Sequence, residues 1–152
     1  MSQSLIQTLK RETETVRAFA ETLAEERDAL KRTDFPTLST LIGRKIELAQ
    51  ALQKLTAART AQMGALGLKA GPGGQLLGRN ADPAVEQAWR ELRFAAHTAR
   101  DANELNGAVV AAHLEFTQEA IHAVRQGGVD AGLYGKDGKA ENGAKGVSLA
   151  AG

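Results

Sequence analysis

Apolar residues along this chain recur every three or four positions over three long segments, a spacing that places them on one side of an α-helix. The three segments predict helices over residues 2–32, 36–66 and 83–126. We therefore expect an all-α fold: an elongated antiparallel hairpin of the first two helices, completed by a third long helix as in a three-helix bundle or coiled coil.

The first predicted helix carries leucine or valine every seven residues, at Leu9, Val16, Leu23 and Leu30. The charged residues between them, Glu12 and Glu26 included, are expected to form a solvated face with ion pairs along the helix. The apolar stripe of the second helix consists of Leu38, Leu41, Leu48, Leu52, Leu55 and Met63, with Ile42 and Ile46 beside it. Lys45 and Arg59 interrupt this stripe, and we expect their charges to reach water.

The links divide the chain further. Residues 33–36 form a short break in which Asp34 or Thr33 can cap the second helix. Residues 67–82 are expected to be a mobile loop, because Gly71, Pro72, Gly73 and Gly74 disfavour regular structure; Leu76 and Leu77 within it are candidates for packing on the hairpin. A helical domain over residues 1–127 is followed by a flexible, glycine-rich tail over residues 128–152.

Two amides interrupt the third helix. Its apolar stripe, continued past Ala99, lands on Asn103 and Asn106, and Gly107 follows directly. A buried amide and a mid-helix glycine each lower stability. Either the asparagines set the register of the helix, with the glycine admitting a neighbouring helix, or the segment recognises a partner that approaches closely. The spacing alone leaves both interpretations open.

Beyond these amides the third helix carries a second apolar stripe, which consists of Leu105, Val109, Phe116 and Val124, with Ile121 nearby. A helix with more apolar surface than its bundle needs usually meets a partner. Burial against the first two helices is the alternative. In the tail, Leu133 and Tyr134 are either an incidental apolar pair or a short binding motif.

Composition excludes several classes of function. The chain has no cysteine, so thiolate catalysis, disulfides and Cys-ligated zinc are excluded. Its 19 basic and 18 acidic residues leave a net charge of +1, which provides no broad field for nucleic acid or anionic lipid. A nucleic-acid site built on Arg44, Lys45, Lys54 and Arg59 is not expected, because stacking aromatics are missing. No segment has the length of apolar sequence that membrane insertion needs, and we expect a cytoplasmic protein.

Catalytic chemistry is not expected either. The three histidines, His97, His113 and His122, lie on different sides of the helix and cannot share an ion. Glu119 and His122 match only half of a di-iron motif. We therefore predict no enzyme activity, no metal and no cofactor.

With these features in place, the chain resembles the FlgN-type flagellar export chaperones. Residues 34–67 are similar to that family's second helix, with Leu38, Leu41, Lys45 and Leu48 at matching spacing. Asn103-Glu-Leu-Asn106-Gly107 is similar to its Asn-x-x-Asn-Gly element, and the stretch from Tyr134 to Gly138 resembles its tail motif.

The resemblance implies a chaperone of the cytoplasm that holds the C-terminal helical segment of the hook-filament junction proteins FlgK and FlgL before export. It places Asn103, Asn106 and Gly107 at the cargo. The residue pattern agrees with this: we expect the apolar surface for a bound helix to consist of Val109, Val110, Phe116, Ile121 and Val124. The resemblance also implies contact of Tyr134, with Leu133 beside it, with the export gate protein FlhA. The alternative is a structural coiled-coil adaptor that forms a homodimer through the same apolar seam.

Overall fold

The computed structural model describes residues 2–79 and 81–126, apart from the side chains of residues 113, 114, 116, 117 and 124–126. Helix α1 spans Ser2–Arg32, helix α2 spans Phe35–Ala65 and helix α3 spans Pro83–Gln126. Two short strands, β1 at Lys69–Ala70 and β2 at Leu76–Leu77, lie between α2 and α3. The predicted all-α class is confirmed, and the observed helix bounds lie within one residue of the predicted ones.

Contacts within the chain divide it into two units, Met1–Ala102 and Asn103–Gly152, and the division falls inside α3. We describe each unit by itself. The boundary predicted between a helical domain and a tail, at residues 127 and 128, lies outside the described residues.

The turn between α1 and α2 is built by local hydrogen bonds. Thr33 adopts a left-handed backbone with φ of 54°, and the backbone N–H of Asp34 donates to the carbonyl of Ala29 at 2.9 Å. Asp34 then caps α2: its carboxylate accepts from the Thr37 hydroxyl at 2.6 Å and from the Thr37 N–H at 3.2 Å. These two bonds, the hydroxyl first, lower the pKa of Asp34 below its ordinary value of 3.8. Of the two predicted caps, Asp34 is the one that forms.

Helices α1 and α2 run antiparallel, since the start of α1 meets the end of α2. Gln62 donates to Ser4 at 3.0 Å, while Lys45 contacts Glu26 near the turn. The core of the first unit combines apolar side chains of all three helices and of the segment after α2. Its buried members are Leu5, Ile6, Leu9, Val16, Met63, Leu68, Val85, Ala88, Trp89, Leu92 and Ala95.

Two carboxylates of α1 are buried, and here the prediction of a solvated face was wrong. Glu12 and Glu26 are only 4% and 9% exposed. Arg59 Nε contacts Glu12 at 2.6 Å, and Lys45 Nζ contacts Glu26 at 3.0 Å. The expectation that Lys45 and Arg59 reach water was wrong for the same reason: a buried charge is tolerated only when an opposite charge and hydrogen bonds compensate it. A further bond from the Thr56 hydroxyl to Glu12, at 3.0 Å, helps to meet this condition.

The glycine-rich segment after α2 also differs from its prediction, because it contains a small antiparallel β-hairpin. Lys69 pairs with Leu77, and Ala70 pairs with Leu76. The glycines that disfavour helix permit this turn: Gly74 has φ of 80°, and the Gly71 N–H donates to the carbonyl of Gln75 at 2.7 Å. Leu76 packs against the core, which confirms the prediction for one of the two leucines.

Side chains of α3 anchor the hairpin. The Trp89 indole N–H donates to the carbonyl of Gly74 at 2.9 Å, and the Arg93 guanidinium donates to the carbonyl of Gly73 at 2.7 Å. The guanidinium of Arg59 lies 5.3 Å from the centre of the Trp89 ring. A segment predicted to be a mobile loop is therefore attached to α3 at two consecutive carbonyls. Arg59 contacts both the Trp89 indole, which holds the hairpin, and the buried Glu12.

Candidate protein-binding surface

The predicted cargo residues of α3 lie beyond Ala102, in the second unit, and the helix continues through Gly107 without a break. At about 100° per residue, Asn103, Gly107, Val110 and Ile121 fall within about 60° of one another around the helix. Asn106 follows directly beside Val110. We call these five residues, Asn103, Asn106, Gly107, Val110 and Ile121, the Asn–Gly face.

Burial differs across the Asn–Gly face. Asn106 has no exposed surface, whereas Asn103, Gly107 and Val110 are half-buried and Ile121 is 39% exposed. Both asparagines interact within the chain, so neither amide is free. The environment of Asn106 is the one expected of a residue that sets helix register. Asn103, in contrast, keeps surface that a partner can reach.

The space over Gly107 is open. A Cβ atom added to Gly107 would meet no heavy atom within 4 Å in the part of the chain that is described. A mid-helix glycine lowers helix stability by about 1 kcal/mol relative to alanine. The described packing does not require this glycine, so the proposal that Gly107 admits a neighbouring helix of the same chain has no support here. Gly107 itself is half-buried, and the open space lies where its Cβ atom would be.

The other residues predicted to bind cargo do not all lie on the Asn–Gly face. Val109 is half-buried and lies about 100° around the helix from Val110, next to Leu105, which is 46% exposed. The side chains of Phe116 and Val124 lie outside the described residues, as do Leu133 and Tyr134. The apolar surface predicted as one stripe is therefore divided between the Asn–Gly face and the side of Leu105 and Val109.

Two ionisable groups at the end of the first unit are exposed. His97 Nε2 lies 3.6 Å from Asp101 Oδ2, one helical turn apart, with both side chains more than 60% exposed. Among the side chains that the structure describes, no group of three or more His, Asp or Glu is arranged to hold a metal ion. Within the same residues, no helix is long and apolar enough to cross a membrane.

Sequence reasoning missed one exposed apolar surface. Ile42 and Ile46 were placed beside the core stripe of α2, yet they are 55% and 54% exposed, and Phe35 on the same helix is 68% exposed. The available signal was the absence of charge at positions three and four residues apart along this side of α2. Phe94 of α3, at 75%, is the most exposed large apolar residue among the described side chains.

The described part of the chain is all-α apart from one short hairpin, and it presents a partly apolar helix face of the kind at which protein partners dock. A family model, described as FlgN protein, matches residues 1–142. The chain belongs to the FlgN family, and its general function is that of a flagellar export chaperone. No curated protein and no solved structure matches the chain.

Proposed function

We propose that this chain is a cytoplasmic chaperone that acts by binding and not by catalysis. It holds the C-terminal helical segment of FlgK and FlgL on the Asn–Gly face of α3 and delivers these proteins to the export gate protein FlhA. The single observation that carries the proposal is the match of the FlgN family over residues 1–142. The geometry of α3 adds the candidate location on the chain.

Three properties of the Asn–Gly face support a helical cargo. Its aliphatic side chains, the half-buried Val110 and the exposed Ile121, lie three turns apart on one side of the helix, so a helical cargo that packs along this side can contact both. The open backbone at Gly107 permits an approach closer than any side chain would allow. Asn103 supplies a polar group beside this backbone, and polar groups orient a bound helix.

Isothermal titration of the full chain with a FlgK or FlgL C-terminal peptide tests the cargo assignment. A Val110→Asp and Ile121→Asp double variant should weaken binding at least about tenfold, because it places two carboxylates in an apolar contact. Leu105→Asp is the matched control: the residue is exposed, belongs to the same helix and lies on the opposite side. Circular dichroism should show equal helicity in both variants.

Two results would contradict this assignment. Undiminished peptide binding by the double variant would exclude the Asn–Gly face. Equal weakening of peptide binding by Leu105→Asp would show either that the peptide contacts several sides of α3 or that any added negative charge weakens binding.

The gate contact rests on the resemblance, since Leu133 and Tyr134 lie outside the described residues. Tyr134→Ala should weaken binding to the cytoplasmic domain of FlhA and leave peptide binding unchanged. Leu149→Ala changes another apolar residue of the same segment and should alter neither. Equal losses of FlhA and peptide binding in Tyr134→Ala would contradict two separate sites.

A further inference from the structure

One side of α2 carries a continuous exposed stripe of residues without charge. Phe35, Ile42 and Ile46 are each more than half exposed along it. We define the outer α2 face as the exposed positions spaced three or four residues apart: Phe35, Ser39, Ile42, Ile46, Ala49, Gln53, Ala57, Thr60 and Gly64. Helix surfaces that face only water usually carry charged side chains. A face of this length with none of them is typical of a contact surface.

The charges of α2 lie elsewhere on the helix. Three of its five charged residues, Arg44, Lys45 and Arg59, contact carboxylates of α1. The other two, Glu47 and Lys54, are exposed and make no ion pair within residues 2–79 and 81–126. Because they are seven residues apart, Glu47 and Lys54 lie on the same side of the helix, about 100–120° around it from the centre of the outer α2 face.

The two halves of the outer α2 face differ in the size of their side chains. The large apolar residues lie in the first half, at Phe35, Ile42 and Ile46. Small residues mark the second half, where Ala57 and Gly64 are exposed, and a Cβ atom added to Gly64 would meet nothing within 4 Å. A surface with large side chains at one end and small ones at the other is complementary to the same surface of a second copy that runs antiparallel to it.

We propose that the outer α2 face pairs antiparallel with the same face of a second copy of this chain. In one register of the two helices, each large apolar residue of this face lies opposite a smaller or polar residue of the second copy. With Ile46 opposite Gln53 of the second copy, Ile42 lies opposite Ala57 and Phe35 lies opposite Gly64, because each pair is equally spaced from the centre. Ala49 lies near the two-fold axis, where a small side chain lets the helices approach. Contacts of this kind are isologous, so they close at two copies.

Charge supports the same register. The two-fold axis brings Glu47 of each copy within one helical turn of Lys54 of the other, on the same side of the contact. Two ion pairs form per dimer, from the two charged residues of α2 that α1 leaves uncompensated. No part of this argument uses the Asn–Gly face, so the proposal is independent of the proposed cargo site.

The size of the face indicates a reversible dimer. A helix of 31 residues is about 45 Å long and presents a side about 10 Å wide, or about 450 Å² per copy. The two copies together bury about 900 Å², which is below the roughly 1,200 Å² of stable interfaces and within the range of weak, reversible ones, so we expect dissociation in the micromolar range.

Sedimentation equilibrium of the full chain tests the proposal. The wild type should dissociate reversibly from dimer to monomer, and Ile46→Glu should raise the dissociation constant at least about tenfold by placing a carboxylate in the apolar contact. Glu47→Lys and Lys54→Glu should each raise it about tenfold, since each creates two like-charged pairs per dimer. The double charge-reversal variant should return to near the wild-type value. Glu14→Lys on the exposed side of α1 is the matched control and should have no effect.

Cross-linking supplies a second measurement that uses the absence of cysteine from the chain. Ala49→Cys, close to the proposed two-fold axis, should link two copies through a short bis-maleimide, whereas Thr15→Cys on α1 should not. Three results would overturn the proposal. The wild type could remain a monomer at every concentration, or the double charge-reversal variant could fail to recover the wild-type dissociation constant. The third is loss of the dimer in the Val110→Asp and Ile121→Asp variant.

Discussion

The two parts of helix α3 differ sharply in what surrounds them. Between Pro83 and Ala102 the helix contributes five buried residues to the core of the first unit: Val85, Ala88, Trp89, Leu92 and Ala95. Between Asn103 and Gln126 the one buried residue among the described side chains is Asn106, an amide. Both parts have apolar residues at helical spacing. The period therefore shows that a helix is amphipathic, and it does not show whether the chain itself covers the apolar side.

The largest effect is expected from replacing a leucine by alanine, a change that can be made in each part of the helix and compared. Leu92→Ala should lower the free energy of unfolding by about 3 kcal/mol, because Leu92 is 5% exposed and its removal leaves a cavity. Leu105→Ala should lower it by less than about 1 kcal/mol, because Leu105 is 46% exposed. Urea unfolding followed by circular dichroism measures both. Equal losses would show that the two parts are packed alike.

An effect of similar size is expected for the buried ion pairs of the first unit. Arg59→Ala should lower the free energy of unfolding by about 3 kcal/mol, since it leaves Glu12 buried without its cation and removes the contact with Trp89. Arg44→Ala, which breaks an exposed pair with Glu25, should cost less than about 1 kcal/mol. If Arg59→Met combined with Glu12→Gln does not recover stability relative to Arg59→Ala, an uncompensated Glu12 charge is not the cause.

A smaller effect of opposite sign is expected in the second unit. Gly107→Ala should raise the free energy of unfolding by about 1 kcal/mol, because alanine favours helix and its Cβ meets nothing within 4 Å. Gly43→Ala, at another open helical glycine, is the matched control for stability. Gly107→Ala alone should weaken binding of the FlgK or FlgL peptide. A destabilising Gly107→Ala would show that the space over this residue is filled.

The smallest effect is a pH dependence of the first unit. The hydrogen bonds from Thr37 depress the folded-state pKa of Asp34, so its stabilisation is complete above 3.8 and is lost as pH falls through the folded-state pKa. The melting temperature of Asp34→Ala should therefore lie below that of the wild type at neutral pH, and the gap should narrow in acid. Asp34→Asn keeps a capping oxygen without the charge, so its difference from Asp34→Ala should not change with pH. A gap between wild type and Asp34→Ala of the same size at neutral pH and in strong acid would exclude this role.

Local chemistry was sufficient to predict the helices. The three helical segments, the break at Asp34 and the all-α class follow from apolar spacing and capping, which act between residues three to seven positions apart. The Asn103-to-Gly107 segment was recognised for the same reason, since it violates a local rule. The family resemblance drawn from these elements agrees with the match over residues 1–142.

Only the tertiary structure decided which charges are buried and which apolar residues are exposed. Glu12 meets Arg59 and Thr56 from more than 40 positions away, and nothing local distinguishes it from its solvated neighbours. The hairpin after α2 is attached to Trp89 and Arg93 in the same non-local way. Local rules select a helix and its apolar side, because backbone hydrogen bonds join near neighbours. Which surface meets that side depends on contacts between distant segments, and these exist only once the chain has folded.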